Sequence, residues 1–331
     1  MRKYVVIPAL AAMLTLGFTG CGQSEAPAAG GAADKTAGSA GSGGAPSAAV
    51  PAKKTVTYLG KEYTVTVPTD KIVITGALEA MEDALMLGVK PIGAITTGGK
   101  FPEMFKPITG SSQSIGEKTQ PNVETILKLK PDVILGSTKF PADVSEKLAK
   151  IAPAIPVSHI ATDWEQNLRL LGELTGKQAQ AEQILKQYKD SIAAGKSRLS
   201  EKWKGKKVVT VRIRSGSLNV YPADVFLNPT IYSDLGFEVP NEIKAAKSQQ
   251  TISIEQFSAM NPDAVFLQFS EDENKDKLKA LEELQNNPIW KSTNAAKNNK
   301  VFVNVIDPLA QGGASWSKIE FLKAAVEKLS N

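Results

Sequence analysis

Two arginines, Arg212 and Arg214, stand two residues apart inside the β-rich run Val208-Val209-Thr210-Val211-Arg212-Ile213-Arg214. Alternate residues of a strand share a face. Both guanidinium groups therefore point one way, while Val209, Val211 and Ile213 take the other. A guanidinium fork holds two oxygens at once, so such a pair suits an anionic, oxygen-rich ligand. The same pattern also describes a polar sheet face turned to solvent. Two more cations sit in loops. Lys100 and Phe101 close Thr97-Gly98-Gly99-Lys100-Phe101 after an apolar run ending at Ile95, and Lys139 and Phe140 close Gly136-Ser137-Thr138-Lys139-Phe140 after one ending at Leu135. Loops at the carboxyl ends of parallel strands are where open α/β sheets bind ligands.

Catalytic and metal chemistry are poorly supplied. The chain has one cysteine and one histidine, too few for a structural zinc, an iron–sulfur cluster or a cluster of imidazoles, and no disulfide can close within it. No Gly-x-Ser-x-Gly elbow is present, and His159 would have to act as a base without an evident nucleophile, which argues against a secreted hydrolase. Gly99-Lys100 is followed by Phe101 and has Ala94 where a phosphate-binding loop needs glycine. No catalytic residue, metal ligand or cofactor is assigned. Trp164, Trp203 and His159 are assigned to packing.

The elements that must hold these cations alternate between strand and helix patterns, which argues for α/β architecture with mostly parallel sheets covered by helices. A repeat divides the chain. Glu124 to Leu135 and Glu255 to Phe266 each open on a glutamate in a short helical pattern, pass through a Pro-Asp pair and enter an apolar β-rich run. Between the copies lies a long helical pattern without proline, Gln178 to Trp203, in which Gly195 is a weak point. The expected organisation is two similar lobes, residues 55–176 and 205–331, joined by one long helix within residues 177–204.

The N-terminus carries Arg2-Lys3 and an apolar stretch from Tyr4 to Phe18, too short to span a membrane and patterned as a secretory signal over residues 1–20. Residues 22–54 are mostly Ala, Gly, Ser and Pro, a composition that reads as a disordered tether. The formal charge of +5 loses two with Arg2 and Lys3. What remains is weak and dispersed, which argues against nucleic acid.

Phe18-Thr19-Gly20-Cys21 resembles the lipobox of bacterial lipoproteins, with Phe18 where that motif has leucine, and this implies lipidation at Cys21. Together with Gly76-Ala77-Leu78-Glu79-Ala80-Met81-Glu82-Asp83, Leu129-Lys130-Pro131-Asp132, Lys147 to Pro153 and Asn287-Pro288-Ile289-Trp290, the folded part from Thr55 to Asn331 resembles substrate-binding lipoproteins of ABC importers that capture ferric siderophores, haem or corrinoids. Within that class it is similar to the iron-hydroxamate branch. The resemblance implies a monomeric, extracytoplasmic receptor anchored to the cell membrane. It would carry a ferric siderophore of hydroxamate or citrate-hydroxamate type, with haem and corrinoids as alternatives, to an ABC permease dimer with its ATPase. The family's docking glutamates fall on Glu124 and Glu255; first-turn glutamates also simply favour a helix dipole. Its cationic strand and following aromatic fall on Arg212, Arg214 and Tyr221. Relatives often have arginine where Lys139 stands. Trp316, after the flexible Gln311-Gly312-Gly313-Ala314-Ser315, is set on the cleft wall, with a core aromatic at a helix start as the alternative.

Overall fold

A computed structural model describes residues 50–331. The signal segment, Cys21 and most of the tether fall on residues 1–49 and lie outside the described residues. The tether's last residues belong to structure instead, because Ala52, Lys53 and Lys54 open a strand. That strand, β1 (Ala52–Tyr58), pairs antiparallel with β2 (Lys61–Val67). The hairpin buries Val56, Tyr58, Val65 and Val67 on one face, as period-two alternation demands.

The first half is built on a six-stranded sheet of β3 (Ile72–Ile74), β4 (Gly93–Thr96), β5 (Gln113–Glu117), β6 (Gln120–Pro121), β7 (Val133–Ser137) and β8 (Ala154–Val157), in the order β6-β5-β4-β3-β7-β8. Only β6 runs against its neighbour. The second half is built on β9 (Val208–Arg214), β10 (Ser217–Val220), β11 (Gln250–Thr251), β12 (Ala264–Phe269) and β13 (Val301–Val303), in the order β11-β10-β9-β12-β13. Here β10 is reversed, turned back from β9 through Ser215 and Gly216, both at positive φ. Buried parallel strands read as continuous apolar runs, and β7 and β12 do so.

The helices that frame the site are α1 (Leu78–Leu87), α2 (Val123–Leu129), α3 (Trp164–Thr175), α4 (Gln178–Leu199), α5 (Ile254–Met260) and α6 (Ser315–Ser330). α1 stops at Gly88, whose left-handed backbone (φ 61) turns its N–H back to the Ala84 and Leu85 carbonyls. The two copies of the repeat fold alike. Asn122 caps α2 through the Thr125 N–H, and Ser253 with Gln256 forms a capping box on α5. Both helices end on a left-handed residue, Lys130 and Asn261, just before the proline.

The long helix is shorter than its pattern. α4 has 22 residues, about 33 Å, and ends at Leu199. The chain goes on as hydrogen-bonded turns, with Trp203 N–H still reaching Leu199 O, until Gly205 at φ 69 breaks the sense. Gly195 is a crossing point: a Cβ there would lie 2.8 Å from Val326 of α6. The apolar stretch Val225 to Leu235 forms only a π-type turn at Thr230–Asp234, preceded by turns starting at Pro222. The last helix begins at Ser315, right after the Gly312-Gly313 pair, and packs on α1, α3 and α4. One apolar core therefore runs through both halves, from Ile72 and Leu168 to Val209 and Phe321. Among the described residues no helix is long and apolar enough to cross a membrane.

Candidate functional site

Four cations meet where the two halves face each other. Lys139 leaves the end of β7, Arg212 and Arg214 line the end of β9, and Lys118 follows β5. Burial pulls the Lys118 ammonium below its ordinary range; Glu79 opposes this, while Lys139, Arg212 and Arg214 add to it. Those three neighbours come from both sheets, so the positive field spans the cleft. Around Lys118 and Lys139 lies a hollow of about 300 Å³, lined also by Gly76, Ser137, Phe140 and Pro141. Gly76 is required there. Its φ is 72, and a Cβ would meet the Phe140 ring at 2.2 Å.

The four cations are held differently. Arg212 is nearly buried: its Nε donates to Glu273 at 2.7 Å, its other arm reaches Pro308 O at 3.1 Å, and its guanidinium lies 5.3 Å over Phe226. Arg214 is more open, with Glu273 at 3.3 Å and the Gln249 amide oxygen at 2.6 Å. Lys139 is exposed and only loosely paired, 3.9 Å from Glu79 of α1. Lys118 donates to the Gln311 side-chain oxygen at 3.4 Å. Four cations thus stand against two carboxylates, Glu79 and Glu273. A chain without metal-ligand clusters among its described residues offers here a set of donors for a large anion.

The other expected residues distribute around this centre. Lys100 and Phe101 lie on a tight turn tied to the residue before Lys118, because the Gly98 and Gly99 N–H groups donate to the Glu117 carboxylate at 3.2 and 2.9 Å. Those backbone donors hold Glu117 below the usual carboxylate range. Lys100 is exposed and Phe101 is packed partly into the core. Tyr221 is 6% exposed, stacked on Phe226 at 4.8 Å, and its hydroxyl donates to Gln249, the residue that also holds Arg214. Trp316 lines a separate hollow with Met104, Asp307 and Pro308, away from the one at Lys118 and Lys139. Trp164 and Trp203 are buried; His159 sits at the rim, its ring bonded to the Thr138 hydroxyl at 2.7 Å. Glu124 and Glu255 are exposed at matching positions in the first turns of α2 and α5.

Lys118, Glu79, Glu273 and Gln249 were not singled out from the sequence. For Lys118 a signal existed: it follows a parallel strand, as Lys139 does. That strand, Gln113-Ser114-Ile115-Gly116-Glu117, has one β-branched residue and carries a glycine at φ 96, so its composition hides it. A larger hollow of about 750 Å³ between α4 and α6 does not compete for the same ligand, since Asp190 and Glu327 balance its Arg198 and Lys323.

A family model described as periplasmic binding protein matches residues 73–304, which includes all four cations. The chain belongs to the periplasmic binding protein family. It is 53% identical over 278 residues to the iron-uptake system-binding protein of Bacillus subtilis, covering 84% of this chain and 88% of that one. The crystal structure of the triscatecholate siderophore binding protein FeuA from Bacillus subtilis, complexed with ferri-bacillibactin, superposes with a TM-score of 0.79 over 84% of this chain and 98% of that one, again at 53% identity. Staphylococcus aureus SirA complexed with staphyloferrin B matches with a TM-score of 0.71 at 27% identity, covering 83% and 98%. The chain is thus a periplasmic binding protein, in a family of binding proteins rather than enzymes.

Proposed function

We propose that this receptor captures a ferric tris-catecholate and delivers it to a membrane permease for iron uptake. The observation that carries the reading is the convergence of Lys118, Lys139, Arg212 and Arg214 from both halves of the molecule. Iron(III) wrapped by three catecholates bears three negative charges, whereas three hydroxamates leave it neutral. A site with four cations and two carboxylates gains little from a neutral complex and much from a trianion. That charge argument favours the catecholate over the tris-hydroxamate expected from the sequence, and the ligand named for the Bacillus subtilis relative favours it over the citrate-hydroxamate. Iron arrives already enclosed, so the protein supplies cations and no metal ligands.

In this reading Arg214, Lys118 and Lys139 meet the catecholate oxygens. Arg212 is fixed by Glu273 as the inner support, and Tyr221 braces Gln249 and Arg214. Lys100, Phe101 and Phe140 edge the cleft, and Trp316 stands outside the cation centre. Glu124 and Glu255 face the two-fold permease with its ATPase, and lipid on Cys21 keeps a monomeric receptor at the membrane. The test is a titration of the purified folded part with ferri-bacillibactin, a ferric tris-hydroxamate, haem and cobalamin, read by tryptophan fluorescence. The expected result is saturable quenching by the catecholate. Replacing Lys118 by Met should weaken it about tenfold to a hundredfold, the scale of a lost charged hydrogen bond. Tighter binding of the neutral hydroxamate would overturn the assignment.

A further inference from the structure

Lys118 is the cation with most reason to leave the site. It sits on a four-carbon stem with much rotamer freedom, and Lys139, Arg212 and Arg214 repel it. Glu79 attracts it through space, and its one side-chain hydrogen bond goes to a neutral oxygen, Oε1 of Gln311, at 3.4 Å. The orientation of that amide is set by its other end, since Nε2 donates to Leu309 O at 2.8 Å and so turns the oxygen toward the ammonium.

Gln311 is itself bolted down. Its backbone N–H donates to Glu82 of α1 at 2.7 Å, and the Ser317 N–H donates to the other Glu82 oxygen at 2.9 Å, joined by the Ser317 hydroxyl. Asp83 accepts the Ser315 hydroxyl at 2.6 Å. Both carboxylates are buried, at 0% and 1% exposure. Gly312 and Gly313 make the segment a wedge. A Cβ on Gly312 would lie 2.6 Å from the Phe226 backbone in the second half, and one on Gly313 would lie 2.6 Å from Ala161 in the first.

We propose that Gln311 is a positioning residue for anion capture, holding the Lys118 ammonium in the cleft from a segment that α1 locks between the two halves. A neutral acceptor suits this task, because it takes one ammonium proton and leaves the positive charge for the ligand; a carboxylate there would cancel it. The proposal rests on the tris-catecholate reading of the site.

The experiment is a double-mutant cycle on the whole folded part, with ferri-bacillibactin as the probe and the variants Gln311→Met, Lys118→Met and both together. Gln311→Met keeps the length of the side chain and every backbone bond to Glu82, so its urea midpoint should match wild type. Affinity should fall about tenfold in the Gln311→Met protein and should not fall further when Gln311→Met is added to Lys118→Met. The alkaline loss of affinity should also move to lower pH in Gln311→Met, since the oxygen that favours the charged ammonium is gone. A merely structural role would not produce that shift. Wild-type affinity in Gln311→Met, or a loss that persists undiminished beside Lys118→Met, would overturn the inference while leaving the ligand reading intact. Failure of the wild type to bind the probe would overturn both.

Discussion

Within the repeated Glu…Pro-Asp element three residues do three different things. The aspartates are latches. Asp132 accepts the Thr69 hydroxyl at 2.6 Å and returns its N–H to Lys71 O, while Asp263 accepts the Lys207 N–H at 2.9 Å and returns its own to Lys207 O. Each thus pins the chain entering the central strand of its sheet, β3 or β9. The prolines follow left-handed caps and stop the helices. The glutamates touch none of this; they stand exposed in first turns, where the helix dipole favours them by only about 0.3–1 kcal/mol. Reversing both, Glu124→Lys with Glu255→Lys, should therefore leave siderophore affinity and the urea midpoint nearly unchanged while iron uptake in cells is lost, and uptake at the wild-type rate would refute the docking role. The arginine pair was legible because period two is a property of any strand, whatever its fold. Lys118 was not, because its importance comes from neighbours on another sheet and its own strand lacks the usual composition.

At the scale of elements, the segment Gln311 to Ser315 shows where composition misleads. Two glycines in a row read as flexibility, but glycine is also the residue that permits close approach, and sequence cannot tell the two uses apart. Here Gly312 lies at φ 78 against Phe226 and Gly313 against Ala161, with the serines beyond them bound to Glu82 and Asp83. The buried ion pair of Lys318 with Asp234, at 2.8 Å, holds the next turn of α6, its ammonium over the rings of Trp164 and Tyr188. Gly313→Val should overpack this junction and lower stability by about 1–3 kcal/mol, measured as a shift in urea midpoint at constant m-value. A neutral result would mean that the segment is free to move. The strand–helix alternation and the limits of α1 and α5 were readable because caps and periods are local. The start of α6 was not, since its first turn is fixed by carboxylates from a helix in the other half of the chain.

For the whole molecule, the joint between the halves carries two carboxylates in a place where charge is costly, and this makes its stability depend on pH. Burial, opposed mainly by the serine hydroxyls, pushes Glu82 up to about 7 and Asp83 up to about 8, and the charge of Glu82 raises Asp83 further. The two titrate as a pair. A carboxyl whose folded value lies above its unfolded one binds more protons when folded, so its contribution is complete below the ordinary carboxylate range and is lost as pH rises through the folded value. The pair should therefore cost the fold stability steadily as pH rises from about 5 to about 8.5. His159, Lys118 and Lys318, all held below their ordinary values by burial, work in the opposite sense. Asp83→Asn removes one member of the pair while keeping an oxygen for Ser315, so the difference between wild type and this variant isolates the share of Asp83. Urea midpoints at pH 5.5, 7 and 8.5 should fall more steeply in the wild type than in Asp83→Asn. Parallel lines would show that the joint stays charged throughout, with the N-terminus of α6 and its serine donors supplying the compensation.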